Sequence, residues 1–199
     1  MDCYLLAGGS SRRMGRSKLD LPFAGSTFLD RVLAASRLAF ERVVAVQRAG
    51  GEAIRGVETI HESEHAERAP VFGVARALAD ANERSFILAI DYPLLTAELL
   101  RELRDRFERS PAPMLVPMAR GRAQLLCAGY SPELAPMLAA RIAVGRYDLR
   151  GLLDEAGAEI IAEDDWRARH GGEPLLNVNT PEELEEAEAY ERQGFLASR

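Results

Sequence analysis

The sequence predicts an α/β protein with a mostly parallel β-sheet covered by helices on both faces, a three-layer α/β/α sandwich. Two observations carry that expectation. Short apolar runs rich in β-forming residues alternate along the chain with longer stretches of helical periodicity. Parallel neighbours need a crossover connection, and the intervening helices supply it. With 199 residues, 47% hydrophobic and 28% charged, the chain can bury a substantial core. No repeat, low-complexity tract or linker interrupts it, so one domain over residues 1–199 is expected.

The elements follow in order. "CYLLA" reads as the first strand. The helix "TFLDRVLAASRLAF" places Phe28, Leu29, Val32 and Leu33 on one face, and Thr27 followed by Asp30 forms a capping box. Strands "RVVAVQ" and "VETIH", helix "VFGVARALADAN", strand "SFILAI" and helix "TAELLRELRDRF" come next, then strands "MLVPM", "LLCAGY" and "EIIAE". The last helix has Thr180 as N-cap, Pro181 at its first position, Glu183 completing the box and Gly194 as an expected stop.

Charge and composition narrow the partners. A net charge of −6 argues against a general nucleic-acid binder, which needs a broad basic face. No apolar run reaches the roughly 18 residues of a membrane span, and no secretory signal pattern opens the sequence. Cys3 and Cys127 lie far apart without a Cys-x-x-Cys pair. A cytoplasmic protein, bound to neither membrane nor nucleic acid, is expected.

Against that acidic background, Arg12, Arg13, Arg16 and Lys18 crowd one glycine-rich loop directly after the first strand. Glycines let backbone N–H groups approach an anion, and the basic side chains supply charge to phosphate oxygens. Lys18 is the single lysine among 25 basic residues, which points to a site wanting a compact point charge. The spacing is neither a Walker loop nor a G-x-G-x-x-G fingerprint. The plain alternative is a surface turn with solvated arginines.

In open α/β sheets, ligands gather at the carboxyl ends of strands, and two further segments sit there. "SFILAIDYP" ends a buried strand at Asp91, a hard oxygen donor placed to hold Mg²⁺ against phosphates. Its plain alternative is a turn or N-cap ahead of a helix near Thr96. "LLNVNTPEEL" sets Asn177 and Asn179 two apart, so both amides face one side and can read a heterocycle. There the alternative is a helix entry, most of all for Thr180.

"LAGGSSRRMGRSKLDLPFAG", the Asp-Tyr-Pro at Asp91 and the Asn-Val-Asn-Thr-Pro segment together resemble the molybdenum cofactor guanylyltransferases. The resemblance covers nearly the whole chain. It implies a Rossmann-like nucleotidyltransferase fold and transfer of GMP from GTP to molybdopterin, with pyrophosphate released. It places Leu6, Ala7 and Gly8 against the base. Gly9, Ser10, Gly15, Lys18 and Gly73 join them in nucleotide binding. Lys18, Arg13 and Asp91 become catalytic, Asp91 becomes the Mg²⁺ ligand, and Asn177, Asn179 and Thr180 meet the second substrate. Transient contact with proteins that deliver or accept the cofactor is also implied.

Three positions depart from the family pattern. Ala69 replaces the glycine of Gly-Pro-Leu-x-Gly, Leu125 stands where Gln-Pro-Leu is usual, and Ser17 replaces an aspartate. The change at Ser17 is mild, whereas the lost glycine leaves open a weakened enzyme or a different base or acceptor, such as that of a molybdenum cofactor cytidylyltransferase. "HESEH" formally satisfies His-Glu-x-x-His at His61, Glu62 and His65, with His170 the one other histidine, and raises a zinc hydrolase as a rival. A nucleotide-binding regulator without turnover is the third alternative.

Overall fold

The computed structural model describes residues 1–8, 18–65 and 67–197, without the side chains of Lys18 and of residues 195–197. Ten strands and seven α-helices form among these residues. The first half runs β1 (Asp2–Leu6), β2 (Pro22–Phe23), β3 (Ser26–Thr27), α1 (Phe28–Ala39), β4 (Val43–Gln47), β5 (Glu58–His61), α2 (Pro70–Asp80), β6 (Ser85–Ala89) and α3 (Ala97–Arg109). The second half runs β7 (Met114–Ala119), β8 (Arg122–Ala123), β9 (Cys127–Tyr130), α4 (Ala135–Ala143), α5 (Leu149–Ala156), β10 (Glu159–Ile161), α6 (Glu163–His170) and α7 (Pro181–Ala197).

The main sheet has the order β10-β7-β9-β6-β1-β4-β5, with β8 paired to β7 outside that path. β1 lies parallel to β4 and β6, β4 to β5, and β10 to β7. β9 runs antiparallel to both neighbours, because the connection from β7 is a hairpin too short for a crossover. The sheet is therefore mostly parallel, as the sequence predicts.

Strand alternation sorts side chains to two faces. Cys3, Leu5, Phe86 and Leu88 point to the layer of α1, α3 and α6, where they meet Val32, Leu99, Leu103, Phe107 and Trp166. Tyr4, Val44, Val46 and Ile87 point the other way, onto α2, α4 and α5 through Val71, Val74, Leu78, Leu138 and Leu152. A third cluster joins Phe23 and Phe28 to Leu176, Val178 and Ala187, so the chain just before α7 is fastened beside the short β2–β3 hairpin.

The caps are those the side chains dictate. Thr27 accepts from the Asp30 amide at 3.1 Å, and Thr96 accepts from the Leu99 amide at 3.3 Å. At α7 the box is complete: the Glu183 amide donates to Thr180 Oγ1, and the Glu183 carboxylate accepts from the Thr180 amide. The expected stop at Gly194 does not occur, because α7 continues to Ala197. Gly194 does not take the left-handed conformation that ends helices, and a glycine inside a helix costs only about 1 kcal/mol.

Candidate active site

The carboxyl ends of β1, β4, β5 and β6 converge on a cavity of about 130 Å³ whose wall includes Leu6, Gly8, Arg48, Glu62 and Asp91. Leu6 closes β1, and the Ala7 amide continues the pairing by donating to the Val46 carbonyl at 3.0 Å. Gly8 lies directly under Arg48, whose guanidinium donates to the Gly8 carbonyl. A Cβ at Gly8 would stand 2.8 Å from Arg48 Cγ, so only glycine lets the arginine cross here. Gly73, buried on α2, packs against two residues of that wall. A Cβ there would come within 3.0 Å of Glu62 Oε1 and 3.1 Å of Leu6 Cδ2.

Arg48 and Glu62 are the residues the sequence reading missed as part of this cavity. Glu62 follows β5, and its amide donates to the Gln47 carbonyl at 2.8 Å, which prolongs the β4–β5 pairing into the site. Burial raises its carboxyl pKa above the usual range, and the nearby Arg48 charge opposes that shift in part. The signal that would have found both is position immediately after a strand, the same rule that singled out Gly8 and Asp91.

Asp91 follows β6, partly buried. The N-cap of α3 is Thr96, so the aspartate is not that helix's cap. Its carbonyl accepts from the Val178 amide at 2.8 Å, which brings Asn177 and Asn179 beside the end of β6. Those two side chains meet, the Asn179 amide donating to Asn177 Oδ1. The Tyr92 hydroxyl lies against Asn177 and donates to Gln124 Oε1 at 3.1 Å. Thr180 takes part in the α7 cap.

Two further hollows adjoin this cavity. One of about 310 Å³ shares Pro70 and Leu126 with the first cavity and is lined also by Tyr92, Gln124, Tyr147 and Asn177. The other, of about 510 Å³, shares Gln124 and Asn177 with the second and adds Arg120, Arg122, Asn179 and Glu183. Together they make one trench across the ends of the strands.

Of the sequence-predicted site residues, Leu6, Gly8, Asp91, Asn177 and Asn179 line this trench; Ala7 and Gly73 are buried beside Leu6, and Thr180 follows Asn179 at the cap of α7. Gly9, Ser10, Arg13, Gly15 and the Lys18 side chain lie outside the described residues; the Lys18 backbone opens a 3₁₀ turn. Ala69 has φ −140° and ψ 146°, extended backbone that alanine adopts without strain, so the missing glycine needs no compensation there. The zinc alternative fails on geometry. His61 ends β5 with its ring against the Gly51 carbonyl at 2.9 Å, and His65 stacks on Phe72 at 3.8 Å, so no helix sets the two histidines one turn apart. No group of three or more His, Cys, Asp or Glu side chains among the described residues is placed to hold a metal.

Comparison with known proteins decides the family, since the family model for the MobA-like NTP transferase domain matches residues 3–164. The chain belongs to the MobA-like NTP transferase family. As a member of that family it is a nucleotidyltransferase, which excludes a binding-only regulator as the family's role. A probable molybdenum cofactor guanylyltransferase of Aquifex aeolicus is 31% identical over 193 residues, covering 95% of this chain and 90% of its own. A solved structure of molybdopterin-guanine dinucleotide biosynthesis protein A from Archaeoglobus fulgidus superposes with TM-score 0.85 at 24% identity, covering 97% of this chain and all of that one. A 2-C-methyl-D-erythritol 4-phosphate cytidylyltransferase from Thermus thermophilus shares the fold at TM-score 0.66 and 20% identity, over 95% and 98% of the two chains. This MobA-like chain thus shares its fold with that cytidylyltransferase, and the fold alone assigns no base. No helix among the described residues is long and apolar enough to cross a membrane.

Proposed function

We propose that this MobA-like transferase joins the GMP portion of GTP to the terminal phosphate of molybdopterin and releases pyrophosphate. The observation that carries the reading is a cavity walled by both Glu62 and Asp91, with the Asn177–Asn179 pair lining the hollows that adjoin it. Guanine offers two donors on one edge, N1–H and the N2 amine, and a carboxylate accepts both. Cytosine offers acceptors at N3 and O2, which a carboxylate repels. Glu62 therefore favours GTP over CTP.

In the reaction an oxygen of the acceptor phosphate attacks the α-phosphorus of GTP, a new P–O bond forms, and the bond to the β-phosphate bridge breaks. That oxygen is already ionised at neutral pH, so positioning and charge neutralisation dominate over proton removal. Asp91 is a hard carboxylate donor at the strand end and would hold Mg²⁺, which when bound neutralises charge on the triphosphate. Lys18 and Arg13 add positive charge to the leaving pyrophosphate side, and the amides of Gly8 and Gly9 cradle the phosphates. Asn177 and Asn179 hold one another and present their remaining donors and acceptors to the pterin edge.

The test is the thermal midpoint of the protein with each of the four nucleoside triphosphates, with and without Mg²⁺. GTP with Mg²⁺ should raise it most. A larger rise with CTP would overturn the guanylyl assignment and leave nucleotidyl transfer standing.

A further inference from the structure

Resting on that reading of the trench, we infer that Arg122 binds the phosphate of the acceptor and so sets acceptor specificity. The charges around the outer cavity lead to it. Arg120 and Arg122 flank a tight hairpin between β7 and β8, with Arg120 at φ 51° and Gly121 at φ 69°. Arg120 is committed, since its guanidinium binds Glu173 at 3.1 Å and Glu186 at 2.6 Å. Glu183, the carboxylate in the cavity wall, is committed as well, accepting from the amides of Asn179 at 2.6 Å and Thr180 at 3.0 Å. Arg122 is exposed on the same wall and forms an ion pair with no carboxylate among the described residues.

The backbone beneath Arg122 is held in place. Gln124 donates from Nε2 to the carbonyls of Arg122 at 3.0 Å and Ala119 at 3.1 Å, and its own Oε1 accepts from Tyr92. Tyr92 in turn touches Asn177, which pairs with Asn179. One run of contacts therefore connects the amide pair to the arginine's backbone. The arginine's planar fork matches a phosphate monoester by two parallel hydrogen bonds, and the cavity has the volume for it. The acceptor must present a phosphate oxygen near Asp91, and Arg122 is an exposed cation, without a carboxylate partner among the described residues, on the wall it shares with Asn177 and Asn179.

The experiment is steady-state guanine dinucleotide synthesis, run anaerobically with purified molybdopterin and GTP, on the unmodified enzyme, Arg122→Ala and Arg122→Lys. Arg122→Ala should raise KM for molybdopterin about tenfold or more, the scale of a charge-assisted bidentate contact, with KM for GTP and the melting temperature unchanged. Arg122→Lys should recover part of the loss, because it keeps the charge but not the fork. Dephosphorylated molybdopterin, used as a competitive inhibitor, should bind the unmodified enzyme and Arg122→Ala equally. An acceptor KM within twofold of the unmodified value, or an equal loss toward the dephosphorylated pterin, overturns the assignment to phosphate. If the unmodified enzyme makes no dinucleotide from GTP, the proposed function itself falls and this inference with it.

Discussion

The backbone amide of Val178 donates to the carbonyl of Asp91 across 2.8 Å, joining two segments 87 positions apart at the end of a central strand. Val178 is buried among Phe23, Phe28 and Leu176, so the joint is anchored by packing on the side away from the trench. The asparagines on either side of it, Asn177 and Asn179, line the cavity of about 510 Å³. The bond is made by main chain alone, so the Asp91 side chain can be changed without breaking it.

Asp91→Asn should for that reason keep the melting temperature nearly unchanged while lowering turnover on the order of 10²-fold, by removing the negative charge proposed to hold the divalent ion. GTP-induced stabilisation should also lose its Mg²⁺ dependence. Paired turnover and thermal measurements check this; wild-type Mg²⁺ dependence in the variant would remove Asp91 from the metal site.

Glu62 carries opposed demands. Burial raises its folded-state pKa, so the folded protein holds a proton there more tightly than the unfolded chain. The ionised carboxylate thus costs stability at neutral pH, and that cost fades as pH falls through the raised pKa. Glu62→Gln should raise the melting temperature at neutral pH while weakening GTP binding about 10- to 100-fold, because an amide turns a donor toward guanine's donors. In the unmodified protein GTP affinity should fall as pH drops through the carboxyl's raised range, and the variant should lack that dependence. Calorimetric titration across pH reads both effects.

Gly129 tests the packing between sheet and helix. A Cβ on this residue of β9 would stand 2.3 Å from the Phe107 ring of α3. Gly129→Ala should destabilise the fold by about 1–3 kcal/mol, the usual cost of overpacking a core. Combining it with Phe107→Leu should recover part of that loss beyond additivity, measured by denaturant unfolding of the four proteins. Strict additivity would show that the ring and the strand do not meet.

Both thiols are buried, and burial pushes Cys3 up to about 12 and Cys127 upward as well. A thiol-reactive reagent at neutral pH should modify neither in the native protein and both after denaturation. Rapid labelling of the native chain would contradict the placement of β1 and β9 inside the sheet.

The seven long strands were legible because each is a short apolar run bounded by polar or glycine-rich residues, and four helices because their apolar residues recur on one face. The small helices α4, α5 and α6 were not. In α6, "EDDWRARH", only Trp166 is buried, so no periodic face exists to read. Gly194 misled because its role depends on backbone conformation, and α7 continues through it. At the site, Gly8, Asp91 and the asparagine pair stood out by residue type at strand ends. Glu62 did not, because its place in "HESEH" presented a metal-site spacing, and only the pairing of β5 with β4 turns it into the cavity with Leu6 and Asp91. Arg122 could not be told from 23 other arginines until the partners of its neighbour Arg120 were known.

The central claim is guanylyl transfer to a pterin phosphate. Its most direct measurement is an anaerobic reaction of the purified protein with molybdopterin, Mg²⁺ and either GTP or CTP, following dinucleotide by mass and pyrophosphate by enzymatic coupling. Guanine dinucleotide and pyrophosphate should form in equal amounts from GTP, at a rate at least about tenfold above that with CTP, the discrimination expected when a site's acceptor meets a substrate's donors. Faster formation of the cytosine dinucleotide, or pyrophosphate release without any dinucleotide, would contradict it.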